Sequence, residues 1–318
     1  MSKKVLCLLA ASLFTSHSLS TLAAEPATCR TVRLAEVGWA DISATTGLAS
    51  TLLKGLGYKP QTQLASIPMA YMGMEKNNID VYLGAWMPSM EVIAKPFLEK
   101  GSVERVRTNL IGAKYTLAVP EYTFDAGLQD FKDIGRFRQQ LEGHIYGIEP
   151  GNDGNLLIQK LIDKGHFGLN GFKLVESSEA GMLVQVRRAM QAKRPMVFLA
   201  WEPHPMNTRF AIRYLSGGDA SFGPNYGSAV VDTHTRRGYS DECSNVGNLL
   251  KNLEFSLTME NQIMGAILDE KEQPEAAAQA WLKANPKVLD KWLAGVTTYG
   301  GEAAMPAVRE SLGLKSDL

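Results

Sequence analysis

A strand–helix alternation runs through residues 31–101 and begins again after residue 113, and this doubled pattern constrains the fold more than any single motif. TVRLAEV (31–37) alternates apolar and polar residues and ends in Gly38-Trp39, as a strand does. Residues 44–56 carry apolar side chains at helical spacing and stop at Gly55 and Gly57. QTQLAS (61–66) reads as a second strand, Pro68 opens a helix that runs to about Lys76, VYLGAW (81–86) is a third strand, and 90–100 is a helix closed by Gly101. Strands separated by helices pair in parallel, with helices on both faces of the sheet.

The second round starts with AKYTLAVP (113–120), a strand leading out of the first unit. HIYGIEPG (144–151) is a strand running into a tight loop, 155–164 a helix, KLVES (173–177) a strand and 182–192 a helix. MVFLAW (196–201) and AIRYLSGG (211–218) are further strands. From Leu249 the chain is mainly helical, with helices at 276–284 and, favoured by Pro286, at 287–294. The expected fold is α/β with one unit nested in the other. Residues 25–117 and 215–318 form a discontinuous first domain, 118–214 an inserted second domain, and a cleft lies between them. Two crossings, near 118–120 and 210–216, make a hinge that can close on a ligand.

Residues 1–24 are expected to leave the mature protein. Lys3 and Lys4 precede an apolar run over 5–14, and Thr21, Leu22, Ala23 and Ala24 end it in small residues, which is the layout of a secretory signal peptide cleaved after Ala24. The run is too short to span a bilayer, and no later stretch is long and apolar enough. The 33 basic and 33 acidic side chains balance, and loss of Lys3 and Lys4 leaves the mature chain slightly acidic. That argues against nucleic acid and against a polybasic membrane patch. Cys29 and Cys243 remain. In an exported chain such a pair favours one disulfide, with two buried free thiols as the alternative. A bridge would bring both ends of the chain into one domain.

Two strands share an unusual ending. VYLGAWMP (81–88) and VFLAWEP (197–203) each carry an apolar run into Trp86 or Trp201 just before a proline. Trp39 also ends a strand, and open α/β sheets place ligands at the carboxyl ends of their strands. Indole faces attract cations, each contributing about 0.5–2 kcal/mol. A quaternary ammonium suits them because it has no N–H to satisfy. Trp281 and Trp292, in the terminal helices, read as ordinary core. Asp41, two residues beyond Trp39 in GWADISATT, reads either as an acceptor for a ligand hydroxyl or as a helix cap. The loop EPGNDGN (149–155) can offer backbone N–H groups and amides to a ligand, or be a plain turn. There is no G-x-S-x-G elbow, and His144, His166, His204 and His234 show no metal-ligand spacing, so a catalytic reading has little support.

Taken together, GWADISATT, IDVYLGAWMP, GAKYTLAV, YGIEPGNDGN, VFLAWEPHPMN, YLSGGDASFGPNYG and LKANP resemble the choline-binding proteins of bacterial ABC transporters, within the glycine betaine/proline betaine binding family. The likeness covers nearly the whole mature chain. It implies a two-domain periplasmic binding protein fold and an aromatic box for a trimethylammonium head, made by Trp39, Trp86, Tyr115 and Trp201. It implies that Asp41 and Asn152 bind the hydroxyl end, and that Cys29 pairs with Cys243. A periplasmic, monomeric receptor that serves ABC permease subunits and needs no metal or organic cofactor follows from it. One departure stands out: this chain reads GAWMP where the pattern has GNWMP. Ala85 could leave room for L-carnitine, whereas Asp41 would repel its carboxylate and that of glycine betaine, which favours choline. A secreted hydrolase of a choline-containing substrate is the rival from another class, and a chemoreceptor-type sensor would share the pocket.

Overall fold

The computed structural model describes residues 25–315, so the leader expected over 1–24 lies outside the described residues. Nine strands form one sheet: β1 Thr31–Glu36, β2 Lys59–Leu64, β3 Val81–Met87, β4 Val103–Pro120, β5 His144–Tyr146, β6 Lys173–Val175, β7 Phe198–Glu202, β8 Ile212–Tyr214 and β9 Ser228–Arg236. Their order is β2-β1-β3-β9-β4-β7-β5-β6, with β8 also paired to β4. As the alternation predicts, β1 pairs in parallel with β2 and β3, and β5 with β6 and β7.

The middle of the sheet is what places the site. β3, β9, β4 and β7 are each antiparallel to the next, so the two parallel sets point in opposite directions. β3 reaches its end with Trp86 opposite Val231 of β9, which in turn faces Leu110 of β4. β7 reaches its end with Trp201 opposite Tyr115 of the same β4. The carboxyl ends of both sets therefore meet head to head beside residues 110–115, where ligand-binding loops of α/β folds gather.

Three elements depart from the sequence reading. β4 begins at Val103, ten residues earlier than expected. β9 was not expected at all. Its sequence SAVVDTHTR lacks an apolar–polar alternation because Asp232, Thr233 and His234 are themselves buried and paired. Asp232 accepts from Arg105 and Thr108, Thr233 from Asn109, and His234 bonds the Tyr71 hydroxyl. The first helix starts at Ala40 rather than 44, with the Ser43 N–H already bonded to the Trp39 carbonyl.

That helix, Ala40–Gly55, buries Ala44, Leu48 and Leu52. At Gly47 the helix Pro274–Ala284 comes so close that a Cβ would lie 2.7 Å from the Pro274 carbonyl oxygen. Cys29, just before β1, is joined to Cys243, just before the helix Ser244–Asn252, with their Cα atoms 5.4 Å apart. The bridge spans 214 residues and ties the start of the described chain to its helical end. Trp281 stacks on the buried Trp292, the core role expected of both. No helix among the described residues is long and apolar enough to cross a membrane.

Candidate functional site

Trp39, Trp86, Tyr115 and Trp201 converge where the two strand sets meet. Tyr115 sits 5.8 Å from Trp86 and 6.3 Å from Trp201, centroid to centroid, with interplanar angles of 53° and 72°. The rings are tilted against one another rather than stacked. They line one cavity together with Ile148, Asp41 and Asp153. Phe222 backs Tyr115 edge-on at 6.1 Å. The return segment presses on the same strand. Gly227 has φ +70°, and a Cβ there would lie 2.1 Å from the Tyr115 carbonyl oxygen, so only glycine fits. Ala85 does not line this cavity. It is fully buried and precedes Trp86 on β3, so its side chain points to the opposite face of the sheet.

The polar part of the cavity is acidic, and none of its lining residues is basic. Asp41 lies in the first turn of the helix Ala40–Gly55, where its Oδ2 accepts from the Trp86 indole N–H at 3.0 Å. Its Oδ1 has no hydrogen-bond partner among the described residues. Burial first, and the Glu179 charge second, push the Asp41 carboxyl up to about 8, against the pull of the Trp86 N–H. Asp153 opens the helix Asp153–Asp163, and burial lifts its carboxyl to about 6. Its Oδ1 accepts from the Asn152 amide at 3.2 Å, and its Oδ2 also lacks a partner.

Asn152, which the resemblance assigns to a ligand hydroxyl, stands one layer behind the cavity. It is fully buried and caps the helix Asp153–Asp163 by accepting from the Asn155 N–H. The same oxygen accepts from the Tyr115 hydroxyl at 2.9 Å. Asn152 thereby holds the Tyr115 ring, while its neighbour Asp153 lines the cavity. Sequence reasoning missed Asp153. The hint was its place in the Gly/Asn/Asp loop at a helix start.

Two further carboxylates join the halves of the sheet at Trp39 and Ala40. The Trp39 indole N–H donates to Glu149 Oε1 at 2.9 Å, and the Ala40 backbone N–H to Glu179 Oε2 at 2.9 Å. Burial pushes the Glu149 carboxyl up to about 7. Glu179 Oε1 faces His204 Nε2 at 3.1 Å. His204 Nδ1 accepts from the Met206 N–H, so the ring hydrogen sits on Nε2 and points at Glu179. Elsewhere, Cys29, Glu242 and Cys243 lie at metal-ligand spacing, but both sulfurs are taken by the disulfide.

Comparisons with known proteins converge on one family. Residues 30–284 match the substrate binding domain of ABC-type glycine betaine transport system. A solved ABC-transporter choline binding protein in complex with choline is 55% identical, with a TM-score of 0.90 over 91% of this chain and 100% of that one. An unliganded, semi-closed structure of an ABC-transporter choline binding protein is also 55% identical, with a TM-score of 0.84 over 90% of this chain and 100% of that one. The glycine betaine/carnitine transport binding protein GbuC of Listeria monocytogenes is 30% identical over 171 residues, which are 54% of this chain and 55% of that protein. The α/β binding-protein fold expected from the sequence is the fold these likenesses share.

Proposed function

Because the chain belongs to the substrate-binding domains of ABC-type glycine betaine transport systems, we propose that it captures choline outside the cytoplasm and delivers it to the permease of an ABC importer. The observation that carries this reading is one cavity walled by Trp39, Trp86, Tyr115 and Trp201 and edged by Asp41 and Asp153, with no basic lining residue. Aromatic faces and carboxylates both favour a cation. The likeness to the choline complex supports the same reading.

The polar end separates candidate ligands. A hydroxyl can donate to Asp41 Oδ1 or Asp153 Oδ2, the two unpaired oxygens. Once the cation has displaced the carboxyl's proton, a hydrogen bond to the charged acceptor contributes about 1.5–3 kcal/mol. The carboxylate of glycine betaine or carnitine would meet these acids with no cation beside it, so both should bind more weakly. The site offers binding groups and no arrangement for covalent chemistry. The halves of the sheet act as lobes, residues 25–117 with 215–318 and residues 118–214, and they close on the ligand about β4 and the return into β9.

Calorimetric titration of the mature protein, refolded free of carried-over ligand, tests this with choline, L-carnitine and glycine betaine. Choline is expected to bind tightest and to be recovered unchanged after long incubation. Asp41→Asn should weaken choline and narrow its lead over the two carboxylates. An equal shift for all three would remove Asp41 from the ligand's polar end, and a hydrolysed choline ester would favour the hydrolase.

A further inference from the structure

The helix Ala40–Gly55 has no cap of its own. Its N-cap residue is Trp39, whose side chain makes no capping hydrogen bond. Helix starts ordinarily satisfy their free N–H groups with a Ser, Thr, Asp or Asn at that position. Here the acceptor comes from 139 residues away, as Glu179 Oε2 on the Ala40 N–H. Glu179 is not needed for the start of its own helix, Glu179–Gln191, which Ser178 caps through the Gly181 N–H. It is only 4% exposed, and its second oxygen is held by His204, itself fixed by the Met206 N–H and set 5.0 Å from the Trp201 ring.

Resting on the quaternary-ammonium reading above, we infer that Glu179 is a positioning residue that latches the closed state by capping, across the cleft, the helix that carries Asp41. Ala40 follows β1 and Glu179 follows β6, strands of opposite halves of the sheet. When the halves part, the Ala40 N–H loses its acceptor and Glu179 passes into water. When they close, a full negative charge meets the positive end of a sixteen-residue helix. His204 aims the carboxylate and Trp201 packs on His204, so the latch is tied to a wall of the aromatic box. Glu179 does not line the cavity. Its effect falls on how long the closed state lasts and not on which cation is chosen.

Stopped-flow tryptophan fluorescence with choline and tetramethylammonium reads this directly. Glu179→Ala is expected to release both cations about tenfold to a hundredfold faster, the range that a hydrogen bond to a charged group commands. The association rate should stay within about twofold of wild type, since most affinity changes of this kind sit in dissociation. The ligand-free Tm should not change. Ser178→Ala serves as the contrast: it removes an ordinary cap, and should lower Tm while leaving the dissociation rate alone. Unchanged release from Glu179→Ala overturns the latch. So does slower association accompanied by a lower ligand-free Tm, which marks general damage. A wild-type protein that binds neither cation overturns the ligand reading and the latch together.

Discussion

The Trp86 corner and the Trp39 corner of the cavity hold their indoles in different ways. Trp86 donates to Asp41, which follows β1 in the same half of the sheet. Trp39 donates to Glu149, and its neighbour Ala40 to Glu179, both from the opposite half. On the proposed closing of the two lobes, the first corner is complete within one lobe before a ligand arrives, and the second is assembled only when the lobes meet. Capture and retention would then fall to separate residues: a preformed wall that receives the cation and a seam that keeps it.

Removing the wall should have the largest effect. Trp86→Ala deletes one aromatic face and leaves the buried Asp41 carboxylate with no partner for either oxygen. The expected loss is about 2–4 kcal/mol for every trimethylammonium ligand alike. Because the wall precedes closure, association should slow as well as dissociation quicken. Calorimetry with stopped-flow kinetics checks both. A change confined to dissociation would move Trp86 from the wall to the seam and erase the contrast.

Next in size is the response to pH. Asp41 at about 8, Glu149 at about 7 and Asp153 at about 6 are all raised, in each case mainly by burial. Glu260, raised well above its ordinary value by burial and then by the Asp41 charge, adds to the same field. Raised carboxyls favour the protonated form, and a cation favours the ionised form. Choline must therefore displace protons at low pH, and its affinity should climb between about pH 6 and 8 and flatten above. Each group contributes at most about tenfold per pH unit. Folding without ligand runs the opposite way: stability carried by these raised groups is full below the ordinary carboxyl range and is lost as pH rises towards 8, whereas choline, bound more tightly there, should raise Tm more at pH 8 than at pH 6. His234, lowered to about 4 by burial, stays neutral across this window. Titration in buffers of different ionisation enthalpy should show proton release near pH 6 and little at pH 9. A flat profile would mean that the carboxyls do not feel the ligand.

The wall could be read from the sequence far better than the seam. VYLGAWMP and VFLAWEP declare buried strands that end in Trp, and the doubled alternation sets their carboxyl ends facing one cleft. β9 escaped because SAVVDTHTR buries Asp232 and Thr233 in paired networks, which mimics the composition of exposed loops, and the first half of β4 because VERVRTNLIG exposes Glu104 and Arg105 and its register shifts break the alternation. Glu149 and Glu179 escaped for another reason. Their partners lie 110 and 139 residues away, and an isolated glutamate at a helix start or in a turn looks the same whether it faces water or the other lobe. Tyr115 and Asn152 came only through resemblance, since a strand tyrosine and a loop asparagine have nothing local to mark them.

The smallest effect should tie the seam to the pH response. Glu149→Gln keeps an oxygen to accept the Trp39 N–H and removes only the charge. Below about pH 6 the Glu149 carboxyl is already mostly neutral, because burial holds it up near 7. Wild type and variant should then release choline at the same rate. Above pH 8 the wild-type carboxylate makes a charge-assisted bond and adds to the field on the cation, so the variant should release choline about threefold faster. Association should match at both pH values, because the Trp39–Glu149 bond forms only after the lobes meet. A difference that persists at pH 5.5 would show that shape, not charge, holds this end of the seam. A change in association would show that Trp39 is held before closure, and the two corners would no longer differ in kind.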